Sequence, residues 1–148
     1  MHKQFLIQKT EDAQDLPLPS YMTQAAAAMD LYANIKNKLC IKPMQRLAVP
    51  CGFRLALPLG YEAQIRPRSG IALKHGITML NAPGTIDADY RGEVHVLLIN
   101  FGEAEYIINR GDRIAQMLIA KVEQTNFKQA NTLPSSARGD GGFGSTGK

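Results

Sequence analysis

The chain has little that would support metal, redox or membrane chemistry. Its 148 residues contain only two cysteines, Cys40 and Cys51, and three histidines, His2, His75 and His95. Neither set has the spacing of a metal-ligand group, so the cysteines read as reduced thiols and the histidines as structural by default. No apolar run approaches the ~20 residues that a bilayer-spanning helix requires. The N-terminal MHKQFLIQKTEDAQ turns acidic where a secretory segment would continue apolar, so a cytoplasmic setting is expected, with no membrane partner. The 17 Lys and Arg are dispersed, which argues against nucleic acid; a net charge of +4 suits anionic small molecules. The sequence has no P-loop and no GxGxxG after a strand, which leaves NTPase and dinucleotide folds unsupported. There is no internal repeat.

What is present is a chain of short apolar segments between turn residues. Segments at 46–50, 54–58 and 62–67 each end at proline, and others follow at 77–80, 93–100, 105–109 and 114–122. Residues 4–7 read as an edge strand. Turn chemistry at Asn81-Ala82-Pro83-Gly84, Asn100-Phe101-Gly102 and Asn109-Arg110-Gly111-Asp112 separates the later segments. Many short strands at this spacing predict an all-β sandwich or barrel. The alanines at 25–28 favour helix by propensity, but the run is short and uncapped, and reads as a loop entering a strand at Met29. One helical turn fits residues 68–74. The polar stretch from residue 123 reads as a linker, which divides the chain into a barrel domain over 1–123 and a linker with a glycine-rich arm over 124–148.

That arm ends in Arg138-Gly139-Asp140-Gly141-Gly142-Phe143-Gly144-Ser145-Thr146-Gly147-Lys148, with five glycines and one aromatic in eleven residues. Glycine N–H groups can approach phosphate oxygens closely because no Cβ intervenes. An arginine for charge, a phenylalanine for stacking and a row of amides suggest a nucleotide polyphosphate. A plain Gly/Ser tail has the same composition, so the interior must decide between them.

Three interior stretches carry candidate chemistry. Arg66-Pro67-Arg68-Ser69-Gly70 sets guanidinium, hydroxyl and backbone donors side by side, which suits phosphate; a surface turn would look the same. Between Asn81 and Glu93, Asp87 and Asp89 lie two apart and would share a face in extended geometry, one of them as a general base. Asn81 and free backbone groups could read the edge of a base, while a hairpin loop with backbone-bonded aspartates is the plainer alternative. Asp30 could position a hydrated cation, and Gln116 could follow a simple hairpin turn.

In order along the chain, these pieces match five motifs. They are Ala27-Ala28-Met29-Asp30-Leu31, Arg66-Pro67-Arg68-Ser69-Gly70, Gly84-Thr85-Ile86-Asp87-Ala88-Asp89-Tyr90-Arg91-Gly92, Gly111-Asp112-Arg113-Ile114-Ala115-Gln116, and residues 138–147. On them the chain resembles the trimeric dUTPase (deoxyuridine triphosphate nucleotidohydrolase) family from about residue 25 to its end. The resemblance implies a jelly-roll-like β-barrel that forms a homotrimer, with each site shared between subunits and the glycine-rich arm closing over a neighbour's site. It implies hydrolysis of dUTP to dUMP and pyrophosphate with Mg2+, supplying dUMP for thymidylate synthesis. Asp87 would be the catalytic base. Arg68, Ser69, Gly70 and Gln116 would hold phosphates on the body, and Arg138, Gly144, Ser145 and Thr146 would do so on the arm. Asn81 and the backbone of Thr85, Ile86 and Asp87 would read uracil, Tyr90 would exclude a 2'-hydroxyl, Phe143 would stack over the base, and His95 would stand near the substrate. Asp30 would reach Mg2+ through water.

One position departs from the family pattern: Ala28 stands where glycine is usual. If that site required positive φ, the change would cost ~1 kcal/mol. Two rivals remain. A dCTP deaminase shares the fold but would carry a glutamate at the position of Leu97. A non-catalytic nucleotide-binding jelly roll would have little use for Asp87, Tyr90 and Phe143 together.

Overall fold

A computed structural model of the chain describes residues 4–144. Among the described residues there are ten strands: β1 (Leu6–Lys9), β2 (Met29–Tyr32), β3 (Leu39–Ile41), β4 (Arg46–Ala56), β5 (Tyr61–Arg66), β6 (Ile77–Met79), β7 (Gly84–Ile86), β8 (Glu93–Asn100), β9 (Tyr106–Ile108) and β10 (Arg113–Lys121). A short 3-10 turn, Glu11–Ala13, and one helix, α1 (Ser69–His75), complete the regular structure. The strands form a sheet in the order β1-β4-β8-β6, a second in the order β2-β10-β5-β7, and a two-stranded ribbon β3-β9. The expected all-β class, of jelly-roll type, is the observed one.

The pleat explains the core. In β8 the fully buried Val94, Val96 and Leu98 alternate with His95 and Leu97 on the outer face. Ala63 and Ile65 of β5 and Ile114, Ala115 and Met117 of β10 enter the same apolar cluster from the other sheet. Asn100 is the fully buried polar exception, and both ends of its amide are hydrogen-bonded. It donates to the carbonyls of Ile41 (2.8 Å) and Ala104 (2.8 Å), and its oxygen accepts the Gly102 N–H.

Three local expectations change. The segments at 46–50 and 54–58 are one strand, β4. Pro50 and Gly52 mark not a turn but a register irregularity, where Pro50 faces His95 and Arg54 faces Glu93. Gly52 has φ +77°, and a Cβ there would stand 2.4 Å from that of Ala13, so glycine lets the 3-10 turn seat against the strand. β7 lies in a stretch read as turn-rich, and β3 in one to which no element was assigned. Ala28 is not among the residues with positive φ, so the conditional cost of replacing glycine does not arise.

Both cysteines are free. Burial pushes the Cys51 thiol above the ordinary range. No helix among the described residues is long and apolar enough to cross a membrane.

Candidate active site

The hairpin between β7 and β8 carries the first group of predicted residues. β7 pairs only with β5 at the edge of one sheet, whereas β8 lies between β4 and β6 in the other. The connection therefore crosses from sheet to sheet, and its side chains border a hollow of about 230 Å³ lined by Asn81, Thr85, Ile86, Asp87, Tyr90, Glu93, His95 and Leu97. Asp87 leaves the end of β7 into a turn closed by the Tyr90 N–H on the Asp87 carbonyl (3.2 Å). The turn breaks the extended geometry that would have set Asp87 and Asp89 on one face. Both nevertheless border a second hollow of about 500 Å³ beside Tyr61 and Glu62.

Tyr90 is fixed through its neighbours. Its hydroxyl donates to the Glu93 carbonyl (3.1 Å), and a Cβ at position 92 would fall 2.2 Å from that hydroxyl. Gly92 is thus required for the ring to fold back over the chain. The same carbonyl faces His95 Nδ1 at 3.0 Å. A carbonyl can only accept, so Nδ1 carries the proton and Nε2 remains available. The Glu93 carboxylate is held by the Gly52 N–H (2.9 Å), and Leu97 adds an apolar wall.

The second group lies across three strands. Gln116 of β10 is in register with Asp30 of β2 on one side and Arg66 of β5 on the other. Asp30 is buried, and its carboxylate is ion-paired to Arg68 Nε (3.0 Å) and Arg113 Nη1 (3.1 Å). Two guanidinium groups against one carboxylate leave an excess of positive charge. Arg68 also donates to the Arg113 carbonyl (3.0 Å), and Gln116 Nε2 to that of Pro67 (2.9 Å). Arg68 is the extended N-cap of α1, so Ser69 and Gly70 form its first turn, where N–H groups lack intrahelical acceptors. A Cβ at Gly70 would meet nothing within 4 Å, so packing does not demand glycine there.

The two groups do not merge within one chain. The β5–β7 register pairs Ala63 with Ile86 and Ile65 with Gly84, which carries Asp87 opposite Glu62. Arg66 lies four residues further along β5, roughly 13 Å at the rise of a strand. The arm is a third, separate group. Beyond β10 the chain to residue 144 forms no strand or helix, and Phe143 is 116% exposed. Arg138 Nε closes a local turn onto the Gly141 carbonyl (2.7 Å). Ser145 and Thr146 lie outside the described residues.

Among the described residues no cluster of three His, Cys, Asp or Glu side chains could enclose a metal. Asp30 stands as a single carboxylate with each oxygen engaged by an arginine, so the described residues offer no protein cage for a cation.

Two arginines were missed as contributors. Arg113 orients Asp30 from 83 residues away. Arg110 grips the segment before β2, with paired bonds to Asp15 (3.0 and 2.6 Å) and others to Asn34 Oδ1 (2.8 Å) and the Asp12 carbonyl (2.6 Å). Hydrogen bonds hold the Asp15 carboxyl, through Arg110, and the Asp12 carboxyl, through Thr10 and Asn34, below the usual range. No local pattern announces either arginine, because each partner lies far away in sequence.

The dUTPase family model matches residues 14–147. The chain is similar to deoxyuridine 5'-triphosphate nucleotidohydrolases from Anaplasma marginale (strain St. Maries), at 58% identity over 89% of this chain and 90% of that one, and from Thermoanaerobacter sp. (strain X514), at 52% over 95% of each. Among solved structures it is similar to a dUTPase variant of Staphylococcus bacteriophage 80alpha with dUpNHpp, at TM-score 0.87 and 21% identity, covering 98% of this chain and 99% of that one. A dUTPase variant from phage phi11 of S. aureus, described with a structural Mg(II) ion, gives TM-score 0.78 at 19% identity over 89% and 99%. At those identities the two structures speak for the fold alone, and the family rests on the matched model and the two bacterial relatives: the chain belongs to the dUTPase family.

Proposed function

We infer that this chain hydrolyses dUTP to dUMP and pyrophosphate. The observation that carries the reading is the β7–β8 hairpin hollow, where Asp87, Tyr90, Asn81 and His95 converge on a space of about 230 Å³. Water attacks the α-phosphorus, an O–P bond forms, and the bond to pyrophosphate breaks. Asp87 orients that water and takes its proton. A carboxylate is a weak base near neutral pH, so most of the acceleration comes from positioning and from cationic groups.

Arg68, Ser69, Gly70 and Gln116 bind the phosphates. The open space at Gly70 supports that role, since close backbone approach of a ligand would explain a glycine that packing does not. Asp30 would hold the hydration shell of a Mg2+ that accompanies the triphosphate, and the ion would supply neutralisation of phosphate charge there. Asn81 and the backbone of Thr85, Ile86 and Asp87 read uracil. Tyr90 lies beneath the deoxyribose and leaves no space for a 2'-hydroxyl. Arg138, Phe143, Gly144, Ser145 and Thr146 close over a bound nucleotide and keep bulk water out.

The roughly 13 Å of β5 between the residue opposite Asp87 and Arg66 supports sites shared between subunits; a homotrimer, with the arm reaching in from a third subunit, follows from membership of the family. A cytoplasmic setting and a supply of dUMP for thymidylate synthesis follow from the same reading. Leu97 lines the hollow with hydrocarbon where a deaminase would need a carboxylate, so deamination is not favoured.

The test is pyrophosphate release by the purified protein from dUTP, dCTP, dTTP and UTP, with and without Mg2+. Release from dUTP alone, stimulated by Mg2+, is expected. Ammonia from dCTP would move the chain to the deaminase branch, and silence on all four would leave a binding protein.

A further inference from the structure

The turn that carries Asp87 and Tyr90 is exposed, and apolar packing contributes little to holding it. Asp87, Asp89, Tyr90 and Arg91 are all exposed, and only Ala88 packs partly against the core. Beyond its own Tyr90 N–H bond to the Asp87 carbonyl, the turn is held by Arg91. Its Nη1 donates to the Ala88 carbonyl (2.8 Å) and the Tyr90 carbonyl (2.9 Å), and reaches the Leu55 carbonyl of β4 at 3.4 Å. Among the described residues Arg91 is in no ion pair, so backbone oxygens alone answer its charge. One guanidinium thus ties the middle and end of the turn to a strand of the opposite sheet. On its C-terminal side Gly92 admits the Tyr90 ring, and the Glu93 carbonyl fixes the hydroxyl.

We propose that Arg91 is a positioning residue for both water activation and sugar discrimination, because it sets the turn on which Asp87 and Tyr90 stand. The role rests on the proposed hydrolysis of dUTP. Arg91 itself need touch no substrate atom. Both short bonds come from one terminal nitrogen, Nη1, which has two N–H groups, and a lysine ammonium on its shorter stem recovers only part of that donation.

The experiment compares wild type, Arg91→Met and Arg91→Lys in kcat and KM for dUTP and UTP, with Tm measured on each. Arg91→Met keeps the stem and removes every donor; if it does not fold, Arg91→Lys carries the test. The expected result is a fall in kcat/KM for dUTP on the order of 10- to 100-fold, since small misplacements of reacting groups have effects of that size. The dUTP/UTP preference should narrow at least about tenfold, with a smaller effect in Arg91→Lys. A preference that stays at the wild-type value while both rates fall together would overturn the role and leave Arg91 merely structural. Wild-type rates in both folded variants would overturn it equally. If wild type itself does not hydrolyse dUTP, the function falls first and this role with it. Wild-type discrimination retained in the variants sinks the role of Arg91 alone.

Discussion

Tyr90 and Phe143 are both aromatic residues assigned to the nucleotide, yet the chain treats them in opposite ways. Tyr90 is tied down by its own hydroxyl, by Gly92 and by the turn that Arg91 clamps. Phe143 stands on a segment without strand or helix and is 116% exposed, and the hydrogen bonds of its neighbours close within the same stretch. A site that recognises a base and orients a water needs groups fixed before substrate arrives. A cover must leave again after each turnover, and so cannot be packed against the barrel in advance. The difference predicts that damage to the hairpin changes what is recognised and how water is aimed, whereas damage to the arm changes the rate and leaves the barrel folded.

The comparison can be broken in several places. The largest effect is expected from Asp87→Asn, which should lower turnover at least ~100-fold while dUTP still binds; rapid turnover in this variant would remove Asp87 from its role. Deleting residues 137–148 should leave folding and trimer formation intact and lower kcat/KM on the order of tenfold or more, read from steady-state kinetics beside sedimentation. A truncated enzyme at full rate would make the arm dispensable. Tyr90→Ala should admit UTP and narrow the dUTP/UTP preference by about tenfold, in line with the loss of a steric filter; an unchanged preference would place the sugar elsewhere.

The smallest effect concerns stability rather than chemistry. The Asp12 and Asp15 carboxyls are held below their ordinary range, so their contribution is present above about pH 4, where the unfolded carboxyls are ionised. It is lost as pH falls through the lower folded values. Arg110 is what lowers Asp15, so Arg110→Ala should lower Tm at neutral pH, and the gap from wild type should shrink as pH drops below about 4. A gap independent of pH would show that Arg110 acts through its bonds to the Asn34 and Asp12 amide oxygens rather than through the Asp15 carboxylate.

Much of this organisation was legible in the sequence because alternation and turn residues are local signals. β8 could be read directly, since its buried valines and leucine alternate with exposed residues. One helical turn was legible over 68–74, where α1 runs from Ser69 to His75, and the hairpin was legible in its turn-rich composition. β7 escaped because it begins within the turn residues Asn81-Ala82-Pro83-Gly84, and β3 because Leu39-Cys40-Ile41 shows no alternation, whereas the equally short β6 and β9 lie in apolar segments set off by turns. β4 was read as two strands because Pro50 and Gly52 also make turns, and only the position of Ala13 reveals why glycine is there. The motifs supplied Asp30 and Arg68, but not that Arg113 shares Asp30, nor that Arg110 grips Asp15 from 95 residues away. Sheet register creates those pairs, and register is a property of the assembled barrel.

The most direct test of the central claim is hydrolysis of dUTP by the intact protein in oxygen-18 water, with products separated and weighed by mass spectrometry. Attack on the α-phosphorus by a water aimed from the hairpin places the label in dUMP and leaves the pyrophosphate unlabelled. Label in pyrophosphate, stepwise release of single phosphates, or no turnover at all would contradict the account.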